Sequence, residues 1–161
     1  MTIHDARKER FGRAFEDFVV GDVFRHWPGR TITEAEDHAF CLLTMAASPV
    51  HLDAYFAETE LPGGRNLIVG TFIYAALLGM SVPDTSGRAV AALGTERLRH
   101  LAPLHHGDTL YGESTVVEAR RSASRPGLGV VTIDTRGYNQ DRTLVTEFRR
   151  SFLVPLKEGD Q

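Results

Sequence analysis

The stretch Thr44-Met45-Ala46-Ala47-Ser48-Pro49-Val50-His51-Leu52-Asp53 sets a histidine behind a small-residue turn and a proline. One carboxylate follows it closely, and none stands just before it. Imidazole exchanges protons near neutral pH, so His51 is a candidate general acid or base. It can equally cap or pack, and Asp53 reads best as the cap of a following helix. Cys41 lies in the apolar run Ala39-Phe40-Cys41-Leu42-Leu43 and reads as a small buried hydrophobe rather than a nucleophile. His105 and His106 are adjacent, so on a strand they point to opposite faces. No clustered cysteine or carboxylate accompanies them in sequence, and they read as exposed turn residues, not as metal ligands. His38 reads as surface, and Arg120-Arg121 and Arg149-Arg150 as solvated strand ends. Gly63-Gly64 lacks the Gly-Lys-Ser/Thr ending of a phosphate loop. No metal site and no separate cofactor are expected.

Elements must hold these residues. The 161 residues suit one domain with a real core. A net charge of -3 gives no basic field for nucleic acid or anionic lipid. One cysteine excludes an internal disulfide framework and suits a reducing cytoplasm. The N-terminus has no apolar signal core. The uncharged run 66–83 sits at the lower limit of a membrane span, but Asn66, Thr71, Ser81 and two glycines favour a buried helix.

Residues 1–14 read as a tail, 15–156 as the structured domain and 157–161 as a second short tail. Val23 to Thr33 reads as extended, interrupted at Pro28-Gly29. Thr33 and Glu36 form a capping-box pattern that starts a helix over about Glu34 to Met45. Its Phe40, Leu43 and Thr44 share a face with Ala39. Ser48 precedes a proline and ends it. Asp53 starts a short helix over 54–59, and Leu61 to Asn66 is a loop. About Val69 to Met80 form a helix apolar all round, which needs burial on nearly every side. Four long segments rich in Val, Thr and aromatics follow, separated by turn signals at 106–108, 125–127 and 139–141. They predict an antiparallel meander. The fold class is α+β: a curved antiparallel sheet wrapped around one apolar helix. Its open edge would invite a partner, so a homodimer or a dimer of dimers is expected.

This order of elements resembles the hotdog fold, and the residues narrow it to the MaoC-like acyl-CoA hydratase/dehydratase family. That family carries Asp-x-Asn-Pro-x-His-x-Asp, met here by Ala46 to Asp53. A central helix opens with a small-residue pair, here Val69-Gly70-Thr71. A later strand reads roughly Arg-Phe-x-x-Pro-Val-x-x-Gly-Asp-Thr, met by Arg99 to Leu110. The openings "FEDFVVGD" and "RTITEAED" fit too, so the resemblance runs from Phe15 to Leu156. "AVAALG" and "TRGYNQ" resemble a branch that acts on short branched or dicarboxylic thioesters, such as mesaconyl-CoA or itaconyl-CoA hydratases.

The resemblance implies reversible hydration of an enoyl-CoA thioester in the cytoplasm, with CoA entering as part of the substrate. His51 would transfer the proton, and Ser48 is a polar candidate beside it. The Gly70 and Thr71 amides would hold the enolate oxygen at a helix N-terminus. Phe72 would lie against the acyl group. Arg65 first and Arg99 next are candidates for a CoA phosphate or a substrate carboxylate. The departure is Ala46, where the family has aspartate, with Ser48 where it has asparagine. The carboxylate that shares the water with the histidine is missing. A hydratase using other polar groups, a weakened hydratase, and a non-catalytic acyl-CoA-binding or partner subunit all remain open. A hotdog thioesterase would need a carboxylate aimed at the carbonyl, and no motif supplies one.

Overall fold

The structure, a computed structural model, describes residues 11–157; of the tails expected over 1–14 and 157–161, residues 1–10 and 158–161 lie outside the described residues. Five strands form one antiparallel sheet: β1 (Val23–Thr31), β2 (Ala91–His100), β3 (Thr109–Arg121), β4 (Leu128–Tyr138) and β5 (Leu144–Pro155). Their order is β1-β3-β4-β5-β2, so β1 and β2 are the edges. Strand β1 runs through Pro28-Gly29 rather than breaking there; the interruption is a register shift against β3 between His26 and Arg30. Edge strands tolerate proline because its missing N–H costs no ladder bond on the open side.

Helix α1 (Glu34–Thr44) starts as the sequence predicts. The Thr33 hydroxyl accepts the Glu36 amide at 3.3 Å, and the Glu36 carboxylate accepts the Thr33 amide at 2.9 Å. It ends one residue early, because Met45 turns left-handed with φ of 57°. The buried face is not the expected one. Asp37 and Cys41 point inward, while Leu42 and Leu43 are exposed. Burial holds the Cys41 thiol above its usual range, in keeping with an inert side chain.

The segment after α1 is not a plain turn. Pro49–Leu52 form a one-turn helix, α2, with proline at its first position, where its fixed φ suits a helix. Asp53 then caps α3 (Ala54–Glu60) by accepting the Phe56 amide at 2.9 Å.

The apolar run forms α4 (Gly70–Ser81), which buries Phe72, Ile73, Ala76, Leu77 and Ser81. Burial all round was expected, yet Thr71, Ala75 and Gly79 are exposed. These three share one stripe at spacing four, and a single five-stranded sheet covers only the opposite side. On the covered side Leu77 is completely buried. Its two methyls fill a gap over Gly112 and Gly137, which are register partners on β3 and β4. A Cβ on Gly137 would lie 2.8 Å from one methyl, and a Cβ on Gly112 would collide with the other.

Residues 11–14 already pack. The Gly12 amide donates to the Pro83 carbonyl at 2.7 Å, and Ala14 is fully buried. Arg150 also departs from expectation. It is buried rather than solvated, and it donates to Ser81, Thr85 and Ser86 below the C-terminus of α4. The negative end of the helix dipole favours a cation there, while burial pulls the guanidinium down to about 10. Arg149, on the other face, pairs with Asp134.

Candidate functional site

The first turn of chemistry is held by the short segment before α4. The Asn66 side-chain amide donates to the carbonyls of Pro49, Val50 and Asp53, so one buried side chain fastens α2 and the start of α3. The Leu67 amide donates to the Val50 carbonyl at 3.1 Å. The Leu67 carbonyl accepts from His51 Nδ1 at 2.7 Å. A carbonyl can only accept, so Nδ1 carries the proton and Nε2 is left as the acceptor nitrogen. The histidine is thus fixed in orientation and tautomer by backbone, and its Nε2 meets no partner among the described residues.

The N-terminus of α4 is held from the other side. The buried Asp37 carboxylate accepts the Val69 amide at 3.0 Å, and the Ile68 amide donates to the Leu104 carbonyl at 2.8 Å. The next two amides, of Gly70 and Thr71, meet no acceptor among the described residues. They are the orphan donors that every helix start leaves, and the dipole makes them favourable to developing negative charge.

A cavity of about 440 Å³ opens beside this turn. His51, Gly70, Ile73, His100 and the segment Leu101–Leu104 line it, with Leu67 and Ile68. Its wall is mostly apolar, and its only titratable side chains are two imidazoles. His100 was not singled out by its place in the sequence, where it is simply the last residue of a strand. Its ring lies against Gly70: a Cβ there would sit 2.7 Å from His100 Nε2. Glycine at 70 is therefore a packing requirement for this histidine, in addition to opening the backbone to a ligand.

The structure brings together His51 and Gly70 from the sequence candidates. Ser48 precedes α2, and its hydroxyl makes no cap bond. Ser48 and Thr71 are not in the cavity lining. Phe72 is buried in the core, stacked on Phe40 with centroids 5.0 Å apart. Arg65 donates to the His106 carbonyl and stands 3.8 Å from Asp108, outside the cavity. Arg99 is held by Glu147 on β5 and lines a separate hollow on the sheet with Arg97, Arg136 and Arg149. Ala46 is partly buried and packs on the core, so no polar group stands at that position.

His105 sits in an isolated bridge to Leu67 and His106 in the turn before β3, so the two do not alternate along a strand, and neither is freely exposed. His105 Nδ1 donates to the Asn66 carbonyl at 3.0 Å, and His106 Nε2 lies 3.0 Å from the Asp37 carboxylate. The carboxylates absent nearby in sequence arrive through the fold. Glu34, His38 and His106 bring ligand atoms within 4.8 Å of one another. His38 is likewise not a surface bystander, because its ring meets that of His106 edge-on at 5.5 Å.

With this geometry in place, comparison with known proteins is informative. The model of a family described as mesaconyl-CoA hydratase matches residues 2–160. Mesaconyl-CoA hydratase of Cereibacter sphaeroides is 34% identical over 152 residues, which is 94% of this chain and 43% of that protein. The chain thus spans less than half the length of the curated relatives it matches. Among solved structures, a MaoC-like dehydratase from Rhodospirillum rubrum superposes with a TM-score of 0.77 at 28% identity, covering 91% of this chain and 99% of that one. A Mycobacterium tuberculosis protein with a double hotdog fold gives a TM-score of 0.76 at 26% identity, covering 93% of this chain and 46% of that one. The curved sheet over α4 is one such hotdog unit.

Proposed function

Because the chain belongs to the mesaconyl-CoA hydratase family, we propose that it adds water reversibly to a short enoyl-CoA thioester, branched or dicarboxylic in its acyl part. The observation that carries this reading is the fixed tautomer of His51. Its free Nε2 belongs to a residue that lines the same apolar cavity as Gly70, at the helix start whose amides are unpaired. In hydration, His51 Nε2 takes a proton from water as the oxygen attacks the β-carbon. Charge then develops on the thioester oxygen, where the Gly70 and Thr71 amides can receive it. Arg65 and Arg99 remain proposed contacts for the CoA phosphates, from outside the cavity.

The reading includes a homodimer in the cytoplasm. Strand β2 is an edge with Leu93 and Leu98 exposed, and Leu42 and Leu43 of α1 are exposed along with Met45 just after it. An open edge flanked by apolar residues favours a second copy. A different reading, a non-catalytic partner subunit that binds the acyl-CoA, is favoured by one feature alone: the methyl group of Ala46.

The test is incubation with crotonyl-, mesaconyl- and itaconyl-CoA, following loss of enoyl absorbance and release of free thiol. The hydratase reading expects absorbance loss without thiol. Binding of a CoA ester with neither change supports the partner subunit. Thiol release supports a thioesterase.

A further inference from the structure

We infer that His100 is the second proton-transfer group of this cavity, taking the acid role left vacant by the missing carboxylate; the inference rests on the hydratase reading. Three observations carry it. The cavity lining contains two titratable side chains, His51 and His100, and Ala46 has none to add. The His100 ring lies on Gly70, the first residue of α4, and the absence of a Cβ at 70 is what admits it. Finally, neither His100 ring nitrogen is committed to a hydrogen bond among the described residues, whereas His26, His51, His105 and His106 each commit at least one.

The surroundings leave His100 free to exchange protons with solvent. It is exposed and stands across the ladder from uncharged Thr146 on β5. Arg99, next to it in sequence, is engaged by Glu147. Helix α4 offers only Gly70 and Ile73 to the cavity, and residues 101–104 are uncharged. His51 is thus the one other titratable group it faces across the cavity.

The proposed step balances. Water loses a proton to neutral His51, and its oxygen forms the C–O bond at the β-carbon. The alkene π pair moves onto the thioester as an enolate. The enolate collapses as the α-carbon takes a proton from the His100 imidazolium. His51 ends protonated and His100 neutral, and exchange with solvent resets both. Dehydration runs the same path backwards. Hydration therefore needs His51 as the proton acceptor and His100 as the proton donor.

His100→Phe keeps a ring against Gly70 and removes the proton, so it separates packing from chemistry; His100→Ala opens room for rescue by added imidazole. With whichever enoyl-CoA the wild type hydrates, kcat of His100→Phe is expected to fall by about 10²–10⁴-fold with KM little changed. Imidazole should restore part of the rate of His100→Ala. Undiminished kcat in both variants, or a loss confined to KM, overturns the inference while leaving the hydratase reading intact. A wild type that hydrates no enoyl-CoA defeats that reading and the inference with it.

Discussion

Midway along α4, Leu77 drives both methyls into the gap over Gly112 and Gly137, and at its start Gly70 leaves room for the ring of His100. Both contacts need a residue without a Cβ. They differ in what fills the space. The first is dry: Leu77 and Leu110 are completely buried, and the helix approaches the sheet as closely as the backbone permits. The second is open: an exposed imidazole, unpaired helix amides and a cavity of about 440 Å³ meet there. One glycine contact fixes the helix; the other leaves its charged end usable. Substitutions at the two places should therefore be read by different instruments.

The largest effect is expected at the dry contact. Leu77→Ala leaves a cavity in the core and should lower unfolding free energy by about 2–5 kcal/mol, seen as an earlier urea midpoint. Next comes Gly70→Ala. Its methyl displaces a flexible, exposed ring, so the urea midpoint should hold while turnover drops by about 10²-fold, as for displacement of a proton-transfer group. If Gly70→Ala instead unfolds the protein and leaves residual activity unaltered, the contrast between the two sites is wrong. Gly137→Ala should do the reverse, costing about 1–3 kcal/mol of stability through overpacking with kcat per folded molecule retained. The smallest effect concerns the start of α1, which carries the Asp37 cap of α4. Hydrogen bonds from the Thr33 amide and then from Arg30 hold Glu36 at about 2, below its ordinary 4.5. A depressed carboxylate contributes stability above its unfolded value and loses it as pH falls through the folded one. An acid titration should thus show helix α1 weakening between about 4.5 and about 2. Glu36→Gln should flatten that part of the curve.

Local signals in the sequence survived into the structure because local physics decides them. Thr33 with Glu36, and Asp53 before its helix, are satisfied within one turn of chain. The run β3-β4-β5 was legible from strands and turn residues, but the expected four-strand meander does not hold, because β2 pairs with β5 at the far edge rather than with β3. The burial of Arg150 was not, because it depends on hydroxyls from residues 81–86 that only the fold places under that strand. The inward turn of Asp37 was hidden for the same reason, since its partners are the Val69 amide and His106. His100 was missed because thirty residues separate it from Gly70, and nothing at either position alone announces the contact. The surface stripe on α4 was misjudged because the composition of a helix says how much it wants burial, not how much one chain can cover.

The central claim is that the cavity of His51 adds water to an enoyl thioester. Its most direct measurement is the rate of mesaconyl-CoA hydration by wild type and His51→Ala side by side, at matched folded concentration. The account predicts loss of enoyl absorbance without thiol release, slowed by about 10²–10⁴-fold in the variant. Equal rates in the two proteins would contradict it.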